Sequence, residues 1–245
     1  MKLFLTFVFG LIPIGILRKI LLKSLGHKIS FKSKIGINVW FVKTIELDDY
    51  ASVGYFNFIK LDSLNMETDS FIKNFNLLKG PFTVKLGTKS GISNQNKIRR
   101  AASPVSYGTA SLQLGYNSFV VSNHFLDLTK SIYIGNNSII AGIRTQLWTH
   151  GYYHSNEGEN RIRIDGEINI KDNVYVGSSC IFNPGIKVGS AIHIGAGSVI
   201  SKDLVEQGMY VSQKLRHIEN DLDKIKLKLN KVVDFEVVED VYIKE

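Results

Sequence analysis

Between Ile170 and Leu204 large aliphatic or aromatic residues recur every six positions, at Ile170, Val176, Phe182, Val188, Ile194 and Ile200. Four residues after each stands a second small or apolar one, at Val174, Cys180, Ile186, Ile192, Ser198 and Leu204. A period of six matches neither a helix nor an alternating strand. It matches a short strand and a tight turn, repeated. Three such units close a triangular coil of about eighteen residues, and each coil covers the inward aliphatics of the next. Glycine follows several anchors (Gly177, Gly189, Gly195), and these glycines are assigned the turn conformations that a β-carbon resists.

Upstream the period blurs, but a longer one replaces it. The segments VGYFNFIK, IKNFNLLK and ISNQNKIR begin at Val53, Ile72 and Ile92, offsets of 19 and 20. They align Asn57 with Asn76 and Asn96, and Lys60 with Lys79 and Arg99. The asparagines read as a structural ladder, because stacked amides hydrogen-bond along a column. Coils therefore start near Ile29 or Ile35. Ser93 to Gly108 is polar and is expected to contain a loop or irregular corner. Regular coils resume at Leu114, Val120 and Leu126, and again at Ile134 and Ile140. The pattern lapses from about Trp148 to Arg163, which predicts a loop leaving the prism wall. The expected organisation is a helical segment over 1–28, a β-helix over 29–212 with its loop at about 148–163, and a helix and tail over 213–245. In that last part Ile218, Leu222, Ile225 and Leu229 share one helix face, suited to capping the open coil end. The tail carrying Phe235, Val237, Val238, Val241 and Ile243 reads as a strand or a flexible end.

Charge changes the picture only at the N-terminus. The net charge is +8 from 30 basic and 22 acidic residues. Eight of the bases (Lys2, Arg18, Lys19, Lys23, Lys28, Lys32, Lys34, Lys43) precede the first acid, Glu46, so the remainder is balanced, 22 against 22. The surplus is local and does not call for a nucleic-acid partner. Met1 to Leu17 is almost wholly apolar, yet it is short for a membrane span and is interrupted by Pro13 and Gly15. As a signal peptide it lacks a small-residue cleavage site. Apolar residues at Ile14, Leu17, Leu21, Leu22 and Leu25 form one helix face beside Arg18, Lys19 and Lys23, with Gly26 as the stop. The acid-free basic flank favours a helix lying in an anionic membrane interface. The alternative is a helix packed on the coil end or on a partner chain. The single cysteine, Cys180, permits no intrachain disulfide, and its place in the repeat favours packing over nucleophilic chemistry.

Two stretches carry a family likeness. SNHFLDLTKSIYIGNNSIIAGIRTQLWTHGYYH, and after an excursion VYVGSSCIFNPGIKVGSAIHIGAGSVISKDL, resemble the hexapeptide-repeat O-acetyltransferases of bacterial polysaccharide assembly and the galactoside and maltose acetyltransferases. The regular part of the resemblance spans about residues 112–204. It implies a left-handed parallel β-helix, a homotrimer, and acetyl-CoA in the groove between subunits, with no metal. It also implies that His150, which opens the loop, is the general base, and that Asn123 helps hold the acceptor. For the donor it points to Gly177, Ser178, Gly195 and Ala196 beside the pantetheine, and to Lys202, Lys214 and Arg216 beside the CoA phosphates. The family's glycine-x-proline-alanine run after the last coil is absent here, where Ser212-Gln213-Lys214-Leu215 stands instead.

The chemistry asks for a base in that position. Transfer from a thioester to a sugar hydroxyl removes the hydroxyl proton as oxygen attacks, and imidazole accepts a proton near neutral pH. His124, Trp148, Tyr152 and His154 are further acceptor-binding candidates, the aromatics by stacking on a sugar ring. The resulting expectation is an O-acetyltransferase acting on a sugar or lipid-linked glycan at the cytoplasmic membrane face. Other readings stay open at this stage: a sugar-nucleotide N-acetyltransferase, a γ-carbonic-anhydrase-like enzyme with zinc on His124, His150 and His154, and a non-catalytic scaffold.

Overall fold

The computed structural model describes residues 1–212, 222–234 and 240–244. From Lys28 to Tyr210 the chain winds as the expected left-handed parallel β-helix. Each six-residue anchor falls on a different wall: Ile170 on the first, Val176 on the second, Phe182 on the third, after which Val188, Ile194 and Ile200 repeat the order. All six are at most 4% exposed, so the period of six is the period of the walls. The parallel register continues upstream through the blurred coils, where Val39–Leu47 and Phe58–Met66 run round the corner from third wall to first without a break. One continuous core of Ile, Leu and Val fills the prism.

The corners correct one expectation. Left-handed turn conformations fall mostly on residues other than glycine, in two columns: Asp69, Lys89, Asn117, Asn137 and Asn173 at one corner, and Phe56, Phe75, Gln95, Asn123 and Arg144 at another. Asparagine tolerates this region well. Gly177 has no positive φ; a β-carbon there would stand 2.7 Å from the Ala196 amide nitrogen of the next coil. The glycine after an anchor serves close stacking and not the turn.

The asparagine ladder is present and longer than the sequence indicated. Asn38, Asn57, Asn76 and Asn96 are buried, and each side-chain oxygen accepts from the backbone amide one coil on, at 2.8–2.9 Å. His124 is the next rung: its Nδ1 accepts from the Thr145 amide at 3.1 Å, and Thr145 Oγ1 accepts from the Cys180 amide at 3.1 Å. Each buried amide left without such a partner would cost about 1–3 kcal/mol. Cys180 is buried, its thiol contacts the Gly195 carbonyl at 3.3 Å, and burial pushes its pKa up, as a packing role requires.

The N-terminal segment forms two helices, α1 (Lys2–Gly10) and α2 (Gly15–Ser24), the second ending at Gly26 with φ +82°. Helix α1 lies on Val39–Leu47, with Phe7 stacked on Phe41 at 5.1 Å and Gly10 against Trp40. The basic residues of α2 bond to backbone carbonyls, Arg18 buried, Lys19 half-buried and Lys23 exposed. Arg18 donates to the carbonyls of Ile12 and Ile35, Lys19 to those of Phe31 and Ser33, and Lys23 to that of Ile29. These cations satisfy the open edge of the first coil, which has no preceding coil to bond. Part of the basic flank is thereby engaged in the cap. The outer apolar surface of both helices, including Phe4, Ile14, Ile16 and Ile20, stays exposed.

Two excursions leave the corner between third and first walls. One runs over 100–110, so the polar stretch from Ser93 includes a regular coil, Lys97–Arg99, before the chain departs. The other is not an irregular loop but a hairpin of His150–His154 and Arg161–Asp165, joined in parallel by Val241–Ile243. Of the expected C-terminal helix, Leu222–Lys226 is helical; Ile218 lies outside the described residues.

Candidate active site

His150 is the first residue of the hairpin, where the chain steps off the third wall. In-register pairing of Phe125–Asp127 with Gln146–Leu147 carries Asp127 to the same place from the coil before. His150 Nδ1 is 2.8 Å from Asp127 Oδ2. Asp127 is further held by the Thr149 hydroxyl at 2.7 Å, the Thr149 amide at 3.1 Å and the Thr129 hydroxyl at 3.1 Å. A carboxylate is acceptor-only, so Nδ1 carries the proton and Nε2 is left as the basic nitrogen. Burial pushes Asp127 up, but the hydrogen bonds from His150, Thr149 and Thr129 outweigh it and hold the group ionised below its usual range. The His150 pKa is raised, chiefly by the Asp127 hydrogen bond, against a smaller lowering by burial. The His150 side chain is 27% exposed, with Trp148 edge-on at 5.9 Å and Tyr152 at 6.1 Å.

Beneath the hairpin lies a buried charged pair. Arg163 meets Asp165 in bidentate fashion at 2.9 and 3.1 Å, and its Nη1 donates to the Val105 carbonyl at 2.7 Å. The pair thus ties the hairpin to the 100–110 excursion. Lys130 sits over the Tyr107 ring at 3.9 Å, and Arg100 donates to the Tyr107 carbonyl at 2.8 Å, closing the same seam. Burial raises the Asp165 pKa despite Arg163. This seam fixes the backbone that presents His150.

The other sequence-derived candidates fall in different places. Trp148 and Asn123 share a cavity of about 400 Å³ on the third wall with Gln95, Lys97, Arg144 and Gln146. Tyr152 is on the His150 face of the hairpin. His154 shares that face two alternations further on, about 13 Å along the strand at the usual rise, so it is not part of the His150 cluster. His124 is corrected: it borders the same cavity, but the residue is only 2% exposed and its Nδ1 serves the interior ladder, so the ring is a structural rung and not an exposed acceptor-binding group. Among the described residues of one chain the three histidines are not gathered around one point. Gly177, Ser178, Gly195 and Ala196 follow strands of the second wall, at the corner column that also holds Asn123 and Arg144. Four strand residues, about 13 Å, separate that corner from Asp127. Lys202 is exposed after Val199–Ile200, on the His150 corner two coils further along. Lys214 and Arg216 lie outside the described residues. Asp127, Thr129 and the Thr149 hydroxyl are partners of His150 to which the sequence pattern assigned no role.

No family model matches the chain. A Schizosaccharomyces pombe protein whose given name places it among candidate acetyltransferases is 37% identical over 101 residues, 40% of this chain and 48% of that protein. The galactoside O-acetyltransferase of Escherichia coli (strain K12) is 31% identical over 127 residues, 49% of this chain and 59% of its own length. The chain thus spans about half the length of the curated relatives it matches. Among solved structures, the polysialic acid O-acetyltransferase OatWY is 12% identical at a TM-score of 0.38, covering 81% of this chain and 91% of that one.

Proposed function

We propose, with the likeness to named acetyltransferases as premise, that this chain is an acetyl-CoA-dependent O-acetyltransferase for a sugar hydroxyl of a cell-surface polysaccharide precursor, with His150 as general base. The observation that carries this reading is a partly exposed imidazole whose Nδ1 is held by a buried, ionised Asp127. That arrangement fixes the tautomer and stabilises the imidazolium formed during reaction. The acceptor oxygen attacks the thioester carbon while Nε2 takes its proton. The tetrahedral intermediate then expels the CoA sulfur, to which the imidazolium returns the proton. The thioester is already activated, so no covalent enzyme intermediate is needed.

Placement of the donor residues bears on assembly. Gly177, Ser178, Gly195 and Ala196 stand a wall's width from the His150 dyad of the same chain. A homotrimer in which this strip on one protomer faces His150 of the next brings donor and base together. The exposed apolar side of α1 and α2 supports a peripheral position on a membrane. No helix among the described residues is long and apolar enough to cross one.

The test is incubation with labelled acetyl-CoA and a panel of nucleotide sugars, amino sugars and lipid-linked glycans. Label should enter an alkali-labile ester, and His150→Ala should slow transfer by about 10²–10⁴-fold while CoA binding and assembly persist. Full turnover by that variant would overturn the assignment, and label in an amide would move the acceptor to an amine.

A further inference from the structure

The third wall carries a feature that the proton chemistry leaves unused. In-register pairing places Lys60 beside Lys79, Lys79 beside Arg99, and Arg99 beside Asp127. Three exposed cations thus stand one above another at the strand spacing of about 4.8 Å, and the column ends at the His150 dyad. Like charges directly opposite destabilise a sheet. Other lysines of the early coils meet an acid instead: Lys28 meets Glu46 at 2.8 Å, Lys32 meets Asp49 at 2.7 Å and Lys43 meets Asp62 at 2.5 Å, each pair across adjacent coils. Among the described residues no acidic group pairs with Lys60, Lys79 or Arg99. The adjoining column on the same wall reads Phe58, Leu77, Lys97 and Phe125, and the cavity next to Trp148 adds Arg144.

We propose that this wall is the track for an anionic glycan acceptor, whose carboxylate or phosphodiester groups lie on the Lys60–Lys79–Arg99 column and whose sugar faces rest on Phe58, Leu77 and Phe125. This rests on the acetyltransferase reading and supplies the acceptor class that it leaves open. Direction separates acceptor from donor. The cation column runs from the dyad toward the early coils, whereas Gly177, Ser178, Gly195, Ala196 and Lys202 lie on the later ones. A column of like charge also draws an anion along the wall and orients it before contact. The aromatic and aliphatic column gives the uncharged face of each ring an apolar surface, which a point-charge site would lack. Charge on the acceptor comes from uronic or sialic carboxylates within the chain or from a phosphate linking it, and the probes below tell these apart.

The experiment measures binding by calorimetry on the full chain. The probes are hexamers of sialic acid, galacturonic acid and hyaluronate, each beside its carboxyl-reduced twin, together with a glycosyl phosphate. At least one acidic probe should bind about tenfold or more tightly than its neutral counterpart, as a few charge-assisted contacts allow. The preference should shrink as salt is raised. A Lys60→Gln, Lys79→Gln, Arg99→Gln variant, its fold checked by thermal melting, should lose the preference. A preference confined to the glycosyl phosphate assigns the linkage phosphate as the recognised group. Equal binding of all charged and neutral partners overturns the track. So does retention of the preference in the triple variant, or tighter binding of an oligouridylate than of every glycan. Weakened CoA binding in that variant, with acidic glycan binding intact, reassigns the column to nucleotide phosphates. Binding is read without turnover, so a working track on a chain that transfers no acetyl group would leave this proposal standing while the enzymatic one fails.

Discussion

Asp127 sets both the orientation of His150 and the pH at which it works. The carboxylate raises the imidazole pKa above its ordinary 6.5, and a base acts only when neutral. The acid limb of kcat/KM should therefore lie above pH 6.5, with activity lost as pH falls through the raised value. In Asp127→Asn the amide no longer stabilises imidazolium, so the limb should move downward. The plateau rate should fall by roughly 10²-fold, and by about 10²–10⁴ in His150→Ala, the range of general-base contributions. A pH–rate series on the three proteins checks this, and an unmoved limb in Asp127→Asn would remove the carboxylate from the mechanism. As a candidate, His150 was legible because the family likeness assigns the base to the histidine that opens the loop, where the six-residue period lapses. Asp127 was not, because FLDLTK reads as an ordinary strand and its meeting with His150 depends on an offset of 21 between Phe125 and Gln146. That register is set by the bulged corners, and the 19- and 20-residue spacing of the early coils does not supply it. His124 misled for the reverse reason, since a histidine beside a candidate Asn123 looks functional until the ladder shows it facing inward.

The hairpin and the N-terminal cap are the two elements whose stability turns on buried charge. Arg163 and Asp165 are at most 2% exposed. Removing one partner of such a pair leaves an unpaired buried charge and costs about 3–5 kcal/mol. Arg163→Leu should open the hairpin to limited proteolysis while the far-ultraviolet signature of the coils persists. The loss should be greatest at high pH and should ease at low pH, because Asp165, already raised by burial, escapes its penalty by protonation. A pH-independent loss would mean that Arg163 acts only by packing. In the cap, His27 accepts from the Ile45 amide at 3.2 Å and meets Thr6 Oγ1 at 3.1 Å. Burial, and secondarily Lys2, lowers its pKa to about 4. Between 6.5 and 4 the unfolded chain binds more protons, so this contribution is complete above 6.5 and is lost as pH falls through that window. Melting of His27→Gln should depend less steeply on pH across it. Where these elements begin was visible in the sequence. What they pack against was not, since Val105, Arg163 and Val241 meet only after two excursions and the C-terminal strand converge.

At the scale of the whole molecule, the prism is capped at its first coil by helices that bond cations to the coil edge and turn apolar groups outward. The sequence associates Arg18, Lys19 and Lys23 with anionic lipid, but their bonds to the carbonyls of Ile35, Phe31, Ser33 and Ile29 tie these side chains to the coil edge and keep them from reaching out to headgroups. Membrane attachment should then follow apolar area and not lipid charge. Deleting residues 1–25 is a poor test, because it strips the caps from the first coil. Phe4, Ile16 and Ile20 are 64%, 54% and 48% exposed, so replacing all three with serine leaves the packing intact. Burying about half of each such side chain is worth roughly 1 kcal/mol apiece, together near a hundredfold in vesicle partition. Cosedimentation with neutral and with anionic vesicles should show that loss at similar size in both. If the wild type binds only anionic vesicles, the cations must leave the coil edge to do so. If neither vesicle is bound and the substitutions instead change the mass seen by light scattering, the apolar face belongs to contacts between protomers, and attachment to a membrane is excluded.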